Sequence, residues 1–205
     1  HGLTASEDLE KVRARSNYYS NMVPGVPRQY RRILDGELIS IGGNDWQVIM
    51  GYGHAPEHAS LFCKSLKVLI SGDMLLPRIS TNVSVYDADP DADPLGLYLY
   101  SLTKYLPLPD DTLVLPSHGK PFVGIKPRIT QLNAHHDERL ADALAACQKP
   151  ITAREIVPVL FKRELDIHQL TFAMGEAIAH LNYLLRRGKL DRQLCEDGVL
   201  RFSAV

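Results

Sequence analysis

Apolar positions follow two periods along this chain. In "ELISIGGNDWQVIMG" short apolar-rich stretches flank a glycine-rich break, which reads as a hairpin: strand Leu38–Ile41, a Gly-Gly-Asn-Asp turn, and a strand over 46–50. "SLFCKSLKVLISGD" repeats the scheme, with strands over 60–63 and 68–71 around a lysine-bearing turn. A further short apolar strand over 112–115 stops at a proline. Helical spacing takes over in "GLYLYSLTKYL" (96–106) and "KPRITQLNAHHDERLADALAAC" (126–147). In the second, Ile129, Leu132, His136, Leu140, Ala143 and Cys147 fall on one stripe, which predicts a helix with one packed face.

The two ends have their own signals. Thr4 and Glu7 make a capping-box pattern, so a polar helix is predicted over 5–19. "VPGVPRQY" (23–30) is loop, because two prolines and a glycine forbid regular structure. "QKPIT" (148–152) marks a boundary, and Thr152 with Glu155 forms a second capping box just after it. Leu170, Met174, Ala177, Leu181 and Leu184 then repeat at helical spacing until Gly188 stops the helix. "LDRQLCEDGVLRFS" reads as strand, Asp-Gly turn, strand. Helix, helix and two-stranded wing make residues 149–205 a small winged-helix domain behind an α/β domain at 1–148.

Composition narrows the class without naming a chemistry. The 205 residues are 45% apolar and 23% charged, as in a globular protein with a sizeable core. A net charge of −1 gives no general attraction to nucleic acid. Cys63, Cys147 and Cys195 are odd in number and widely spaced, which fits reduced thiols and a cytoplasmic location better than a disulfide framework. No apolar run is long enough for a membrane span, and no basic-then-apolar leader opens the chain.

Chemistry concentrates in "GHAPEHAS", "LISGDMLL" and "VLPSHGKPF". Each adjoins a strand and sets one ligand-type residue in a glycine- or proline-shaped loop. Asp73 and His118 end apolar strands and His58 precedes one, so all three are expected on the rim of a sheet. Imidazoles and a carboxylate from separate loops can converge on a cation such as zinc. His54, four residues before His58, would share a helical face with it, but Pro56, Gly51 and Gly53 argue for loop, which leaves His54 a supporting histidine.

In this order and spacing, "HAPEHAS", "SGD" and "PSHG" resemble the metallo-β-lactamase-fold hydrolases. Those chains carry an "HTPGHS"-like loop, a later "GD" after an apolar strand and a later "PGHG"; glyoxalase II and several nucleases share the pattern. The tail "EAIAHLNYLLRRGKLDRQ" looks like the winged-helix domain appended to one subgroup of them. The resemblance implies part of an αββα sandwich and two divalent metal ions, zinc first, with manganese or iron suiting the same ligands. It implies that His58 binds one metal, that Asp73 bridges both as the catalytic carboxylate, and that His118 binds the second. Metal-bound hydroxide is then the nucleophile, and the substrate is a thioester or another small ester-like molecule.

One departure stands out. The family's leading His-x-His-x-Asp-His is not among these 205 residues. His1 lies 57 residues before His58, but the capping box after it places it in a helix-leading turn rather than at the site. Either the sequence lacks a first segment, and is inactive as it stands, or the protein has lost its metals.

Other tempting groups weigh less. His135, His136 and Asp137 are neighbours on a helix, pointing about 100° apart, and cannot close on one ion. "DADPDADP" (87–94) lacks the glycine and glutamate of a calcium loop and reads as a solvated, rigid loop. Arg78 and Asn82 follow Asp73 and are candidates to face the cleft, with Arg78 either holding an anionic group or acting structurally. Gln169, Glu176 and His180 lie opposite the apolar face of the long helix, whose basic residues are few. The winged helix is therefore expected to cover the catalytic domain or to join a homodimer. Two rivals to the hydrolase remain: a metal-dependent nuclease, and a metal-free binding module on the same fold.

Overall fold

The fold is that of a computed structural model, which describes residues 1–2, 10, 23 and 25–205. The short apolar stretches form one sheet in the order β1 (Leu38–Ile41), β2 (Asn44–Gly51), β3 (His58–Cys63), β4 (Val68–Gly72), β5 (Leu113–Pro116), β6 (Phe122–Val123). The first hairpin closes through Gly42 and Gly43 alone, both at positive φ (60° and 76°), with Ile41 paired to Asn44. A two-residue turn of that hand matches the twist of the strands, so β2 starts two residues earlier than the expected 46. β3 pairs with β2 from Trp46–Cys63 to Gly51–His58, so His58 belongs to the strand rather than preceding it. The short edge strand β6 is not marked by the apolar pattern.

β4 and β5 run parallel in this sheet, joined by a crossover that contains α1 (Pro94–Thr103). Asp93 caps α1, its side chain accepting from Gly96 N–H at 2.9 Å, and Pro94 occupies the first turn. Parallel pairing puts the carboxyl ends of both strands on the same rim, with Gly72 opposite Pro116. That register decides where the chemistry gathers.

The remaining elements are α2 (Ile125–Ala146), α3 (Ala153–Leu160), α4 (Ile167–Arg186) and the separate hairpin β7 (Leu190–Leu194) with β8 (Leu200–Ala204). The capping box at Thr152 forms: Thr152 N–H donates to the Glu155 carboxylate at 2.8 Å, and Glu155 N–H donates to Thr152 Oγ1 at 3.3 Å. Ile151 and Phe202 exchange backbone hydrogen bonds of 3.0 and 2.8 Å, tying β8 to the start of α3. One continuous apolar core runs from Ile49, Phe62 and Leu69 through Leu95 and Tyr98 to Leu132, Ala177 and Phe202. The stripe predicted on α2 is buried in it, as are Met174, Leu181 and Leu184 of α4.

The sheet has unequal faces. Directly paired residues share a face, and Ile49, Phe62, Leu69 and Val114 pack into the core. On the other face Val48, Met50 and Cys63 are buried, while Ile70, Leu113 and Val123 stand open at 40%, 38% and 58% exposure. The helix expected over 5–19 lies, apart from Glu10, outside the described residues. His1 sits at the start of α3, its carbonyl accepting from Arg154 N–H at 3.1 Å.

Candidate metal centre

Asp73 leaves the end of β4, and Ser117 and His118 leave the end of β5 beside it. Ser117 N–H bonds to the Gly72 carbonyl at 3.1 Å, carrying the pairing one step beyond the strands. Ser117 Oγ then donates to Asp73 Oδ1 at 2.7 Å, and Thr81 Oγ1 donates to the Asp73 backbone carbonyl. With the carboxylate so held, His118 Nε2 stands 3.5 Å from Oδ1 and His54 Nε2 stands 3.4 Å from Oδ2. Each oxygen of one carboxylate faces a different imidazole. The three side chains line a cavity of about 210 Å³ together with Leu76, Ser80 and Asn82.

The protonation of His54 follows from its partner. Its Nδ1 lies 2.8 Å from the Asn82 carbonyl, which only accepts, so Nδ1 carries the proton. In the neutral ring Nε2 then presents a lone pair to a carboxylate lone pair, a repulsive arrangement unless a positive charge lies between them. Histidine ligands of metals show this same hydrogen bond from the far nitrogen to a carbonyl. Ligands about 2.1 Å from a tetrahedral cation stand roughly 3.4 Å from one another, which is the spacing seen on both sides of Asp73. The donor set fits a divalent ion at each oxygen. It is incomplete, however: among the described residues no three His, Cys, Asp or Glu side chains form a group able to hold an ion.

His58 does something else. Its Nε2 accepts the Asp73 backbone N–H at 3.2 Å, which occupies the lone pair a metal would need. Its ring fills the space over Gly72, where an added Cβ would stand 2.4 Å from Cε1, and Gly72 itself has φ 54°. Burial, with His54 nearby, pushes the His58 imidazole below its usual range against the opposing pull of Asp73. Pro56 does make the two histidines inequivalent, but in the reverse sense to that expected from sequence. Strand pairing to Gly51 carries His58 under the site, while His54 stays in the loop and faces Asp73.

The other expected residues divide. Asn82 is at the site through its carbonyl, while its side chain accepts from Ser84 Oγ at 2.9 Å and reaches Glu176 at 3.5 Å. Arg78 is exposed and lines an adjoining cavity with Arg128, which shares Ile79 and Ser80 with the Asp73 cavity but not Asp73 itself. Ser117 and Thr81 carry no sequence signal of their own; Ser117 is marked only by adjoining His118 in "PSHG". The long helix walls this region, since Val85 N–H donates to the Gly175 carbonyl at 3.1 Å.

One further expectation changes. His180 is buried rather than facing outward, because α4 packs against both α1 and α2. Its Nδ1 donates to the Glu176 carbonyl at 2.8 Å and its Nε2 lies 3.4 Å from His136 Nδ1. The loop 87–94 is exposed over 87–91, as expected, and is held rigid by contacts from α4 and β7. Asn182 Nδ2 donates to the Pro90 and Ala92 carbonyls, Arg186 to the Asp91 carbonyl, and Arg192 and Arg187 pair with Asp91 and Asp93 at 2.6 and 3.0 Å. The basic residues Arg186, Arg187 and Arg192 are thus spent inside the molecule.

Residues 7–118 match the family model described as Metallo-beta-lactamase superfamily, and residues 140–205 match the one described as Metallo-beta-lactamase-like, C-terminal domain. The chain is 30% identical over 148 residues to the Probable metallo-hydrolase YqjP of Bacillus subtilis, covering 70% of this chain and 46% of that protein. It is 26% identical to the Beta-lactamase-like protein 2 homolog of Caenorhabditis elegans, covering 86% of this chain and 53% of that protein. Among solved structures, a beta-lactamase domain protein from Burkholderia ambifaria superposes with a TM-score of 0.96 at 56% identity, over 100% of this chain and 59% of that one. A metallo-beta-lactamase family protein from Thermus thermophilus gives 0.77 at 31%, over 87% and 56%. The chain spans about half the length of the curated relatives it matches.

Proposed function

The chain belongs to the metallo-beta-lactamase superfamily, and we propose that it carries the carboxylate-centred half of a two-metal hydrolase site acting on a thioester or similar small ester-like substrate, as in glyoxalase II-like members. The observation that carries this reading is the pair of contacts from Asp73, one oxygen to His54 and the other to His118. A carboxylate with a nitrogen ligand beside each oxygen suits the bridging position between two cations. Zinc is the metal we favour, since imidazole and carboxylate donors at this spacing suit it; manganese and iron accept the same set. When bound, such ions supply Lewis acidity and an activated water.

The protein's own groups have separable tasks. His54 and His118 are the ligand histidines, and Asp73 is shared. The Asn82 carbonyl orients His54, Ser117 fixes one oxygen of Asp73, and His58 holds the Asp73 backbone from beneath. Among the described residues each ion would have two donors, one imidazole and one oxygen of Asp73. We read α3, α4, β7 and β8 as a winged helix that walls the cleft instead of binding nucleic acid, because Arg186, Arg187 and Arg192 are already paired.

Elemental analysis and competition with a chromophoric chelator test the assignment in the purified protein, beside hydrolysis of a thioester panel. Asp73→Ala is expected to lose metal and activity together. Full metal content in that variant overturns the reading.

A further inference from the structure

A second cavity, about 450 Å³, lies beside the first and opens between α2, α4 and the segment after α3. Ser80 lines both cavities, so they meet there. Its wall is cationic, with Arg139 from α2 and Lys162 and Arg163 after α3. Arg139 is anchored by Nη1, which donates to the Leu160 carbonyl at 2.9 Å, and Asp142 stands 3.7 Å from the same nitrogen. Its Nε is buried with no partner, and a buried guanidinium donor left unpaired is costly. Among the described residues Lys162 and Arg163 are exposed and engage in no hydrogen bond or ion pair. The carboxylate in this wall, Glu176, is pushed up to about 7 by burial, so near neutral pH it is about half ionised and leaves most of the charge of the three basic groups unbalanced.

We propose that this cavity binds a carboxylate or phosphate group of the substrate, held by Arg139, Lys162 and Arg163 while the hydrolysed bond lies at Asp73. The proposal rests on the hydrolase reading for what is hydrolysed, but the anion site stands or falls by itself. Arginine forks and lysine ammoniums are the side chains that recognise such oxyanions. The pairing of Arg186, Arg187 and Arg192 within the molecule favours a small anion over a nucleic-acid strand, which needs a basic track leading away from the site.

Calorimetric titration of the whole chain with inorganic phosphate and, separately, malonate tests this, with arginine Nε–H signals followed by NMR. Saturable binding of at least one anion is expected, with a shift at Arg139, and the tighter of the two identifies the group. The double variant Lys162→Ala/Arg163→Ala should weaken binding tenfold or more, and both positions are exposed enough to spare the fold. Asp73→Ala should leave anion affinity within twofold, even if that same variant shows the metal reading to be wrong. Absence of binding by both anions, equal affinity in the double variant, or loss of binding in Asp73→Ala each overturns the proposal. So does salt-sensitive binding of polyuridylate that survives the double variant.

Discussion

Two histidine pairs sit in this molecule at similar spacing and in opposite circumstances. The rings of His54 and His58 are 6.0 Å apart on the rim of the sheet, and those of His136 and His180 are 5.5 Å apart between α2 and α4. On the rim, a carboxylate presents an oxygen to His54 and another to His118, and the cleft admits solvent. In the core, among the described residues, neither ring pairs with a carboxylate. Their hydrogen bonds run His136 to His180 to the Glu176 carbonyl, a chain that cannot form with both rings charged. Burial accordingly holds His136 down to about 3 and His180 down to about 4. The same side chain is a candidate ligand in one place and a polar rivet in the other, and the neighbouring groups decide which.

The comparison breaks most visibly at Asp73. Asp73→Ala should lower metal affinity by more than about a hundredfold, beyond the effect of losing a group that only orients a ligand, with little change in unfolding free energy. The core should respond the other way. His136→Ala leaves a cavity and strips His180 Nε2 of its partner, so urea unfolding should show a loss of about 2–4 kcal/mol with metal affinity unchanged. Replacing both core histidines by leucine should cost less than the sum of the single losses, because no partner is left unpaired. Additive losses would mean the two rings do not act as a pair.

Within the rim pair, His54→Ala should cost more metal affinity than His58→Ala, for which a drop of about 10–100-fold is expected of a positioning group. The reverse order would restore the assignment read from sequence. Gly72→Ala should resemble His58→Ala in metal binding, since its Cβ would displace the ring at 2.4 Å. It should also lose about 1–3 kcal/mol of stability from the positive φ.

The smallest effect is in the pH profile. A histidine depressed in the folded state is neutral there and charged when unfolded, so it costs stability as pH falls below about 6.5. The two core rings act in that sense down to about 4 and 3. Glu176, raised to about 7, acts oppositely between 4.5 and 7, because the native state holds the extra proton. Between about pH 5 and 6 one proton of the two is therefore offset. Glu176→Gln should steepen the fall in stability there by about 1.4 kcal/mol per pH unit, measured by urea midpoints. An unchanged slope would show that Glu176 is ionised in the native protein.

Much of this is legible along the chain. Short apolar runs between turn residues mark β1 to β4, the stripe from Ile129 to Cys147 marks α2, and Thr152 with Glu155 marks the start of α3. Asp73 and His118 can be singled out because each follows an apolar strand, and the structure does bring them together. His54 and His58 can be recognised as inequivalent from Pro56, yet their roles cannot be assigned from it. Those depend on whether the chain resumes pairing at residue 58 or at residue 60, and it resumes at His58. His180 is misplaced by periodicity because one apolar stripe shows one buried face, whereas α4 is covered from two sides.

The sequence by itself determined what nearest neighbours decide: the period of each segment, its caps and turns, and the residue types offered at strand ends. Only the tertiary structure decided which offers meet. Parallel pairing of β4 with β5, strands far apart along the chain, sets Asp73 beside Ser117 and His118. A ring's role turns on what packs against it from elsewhere in the chain, and local periodicity carries no record of that.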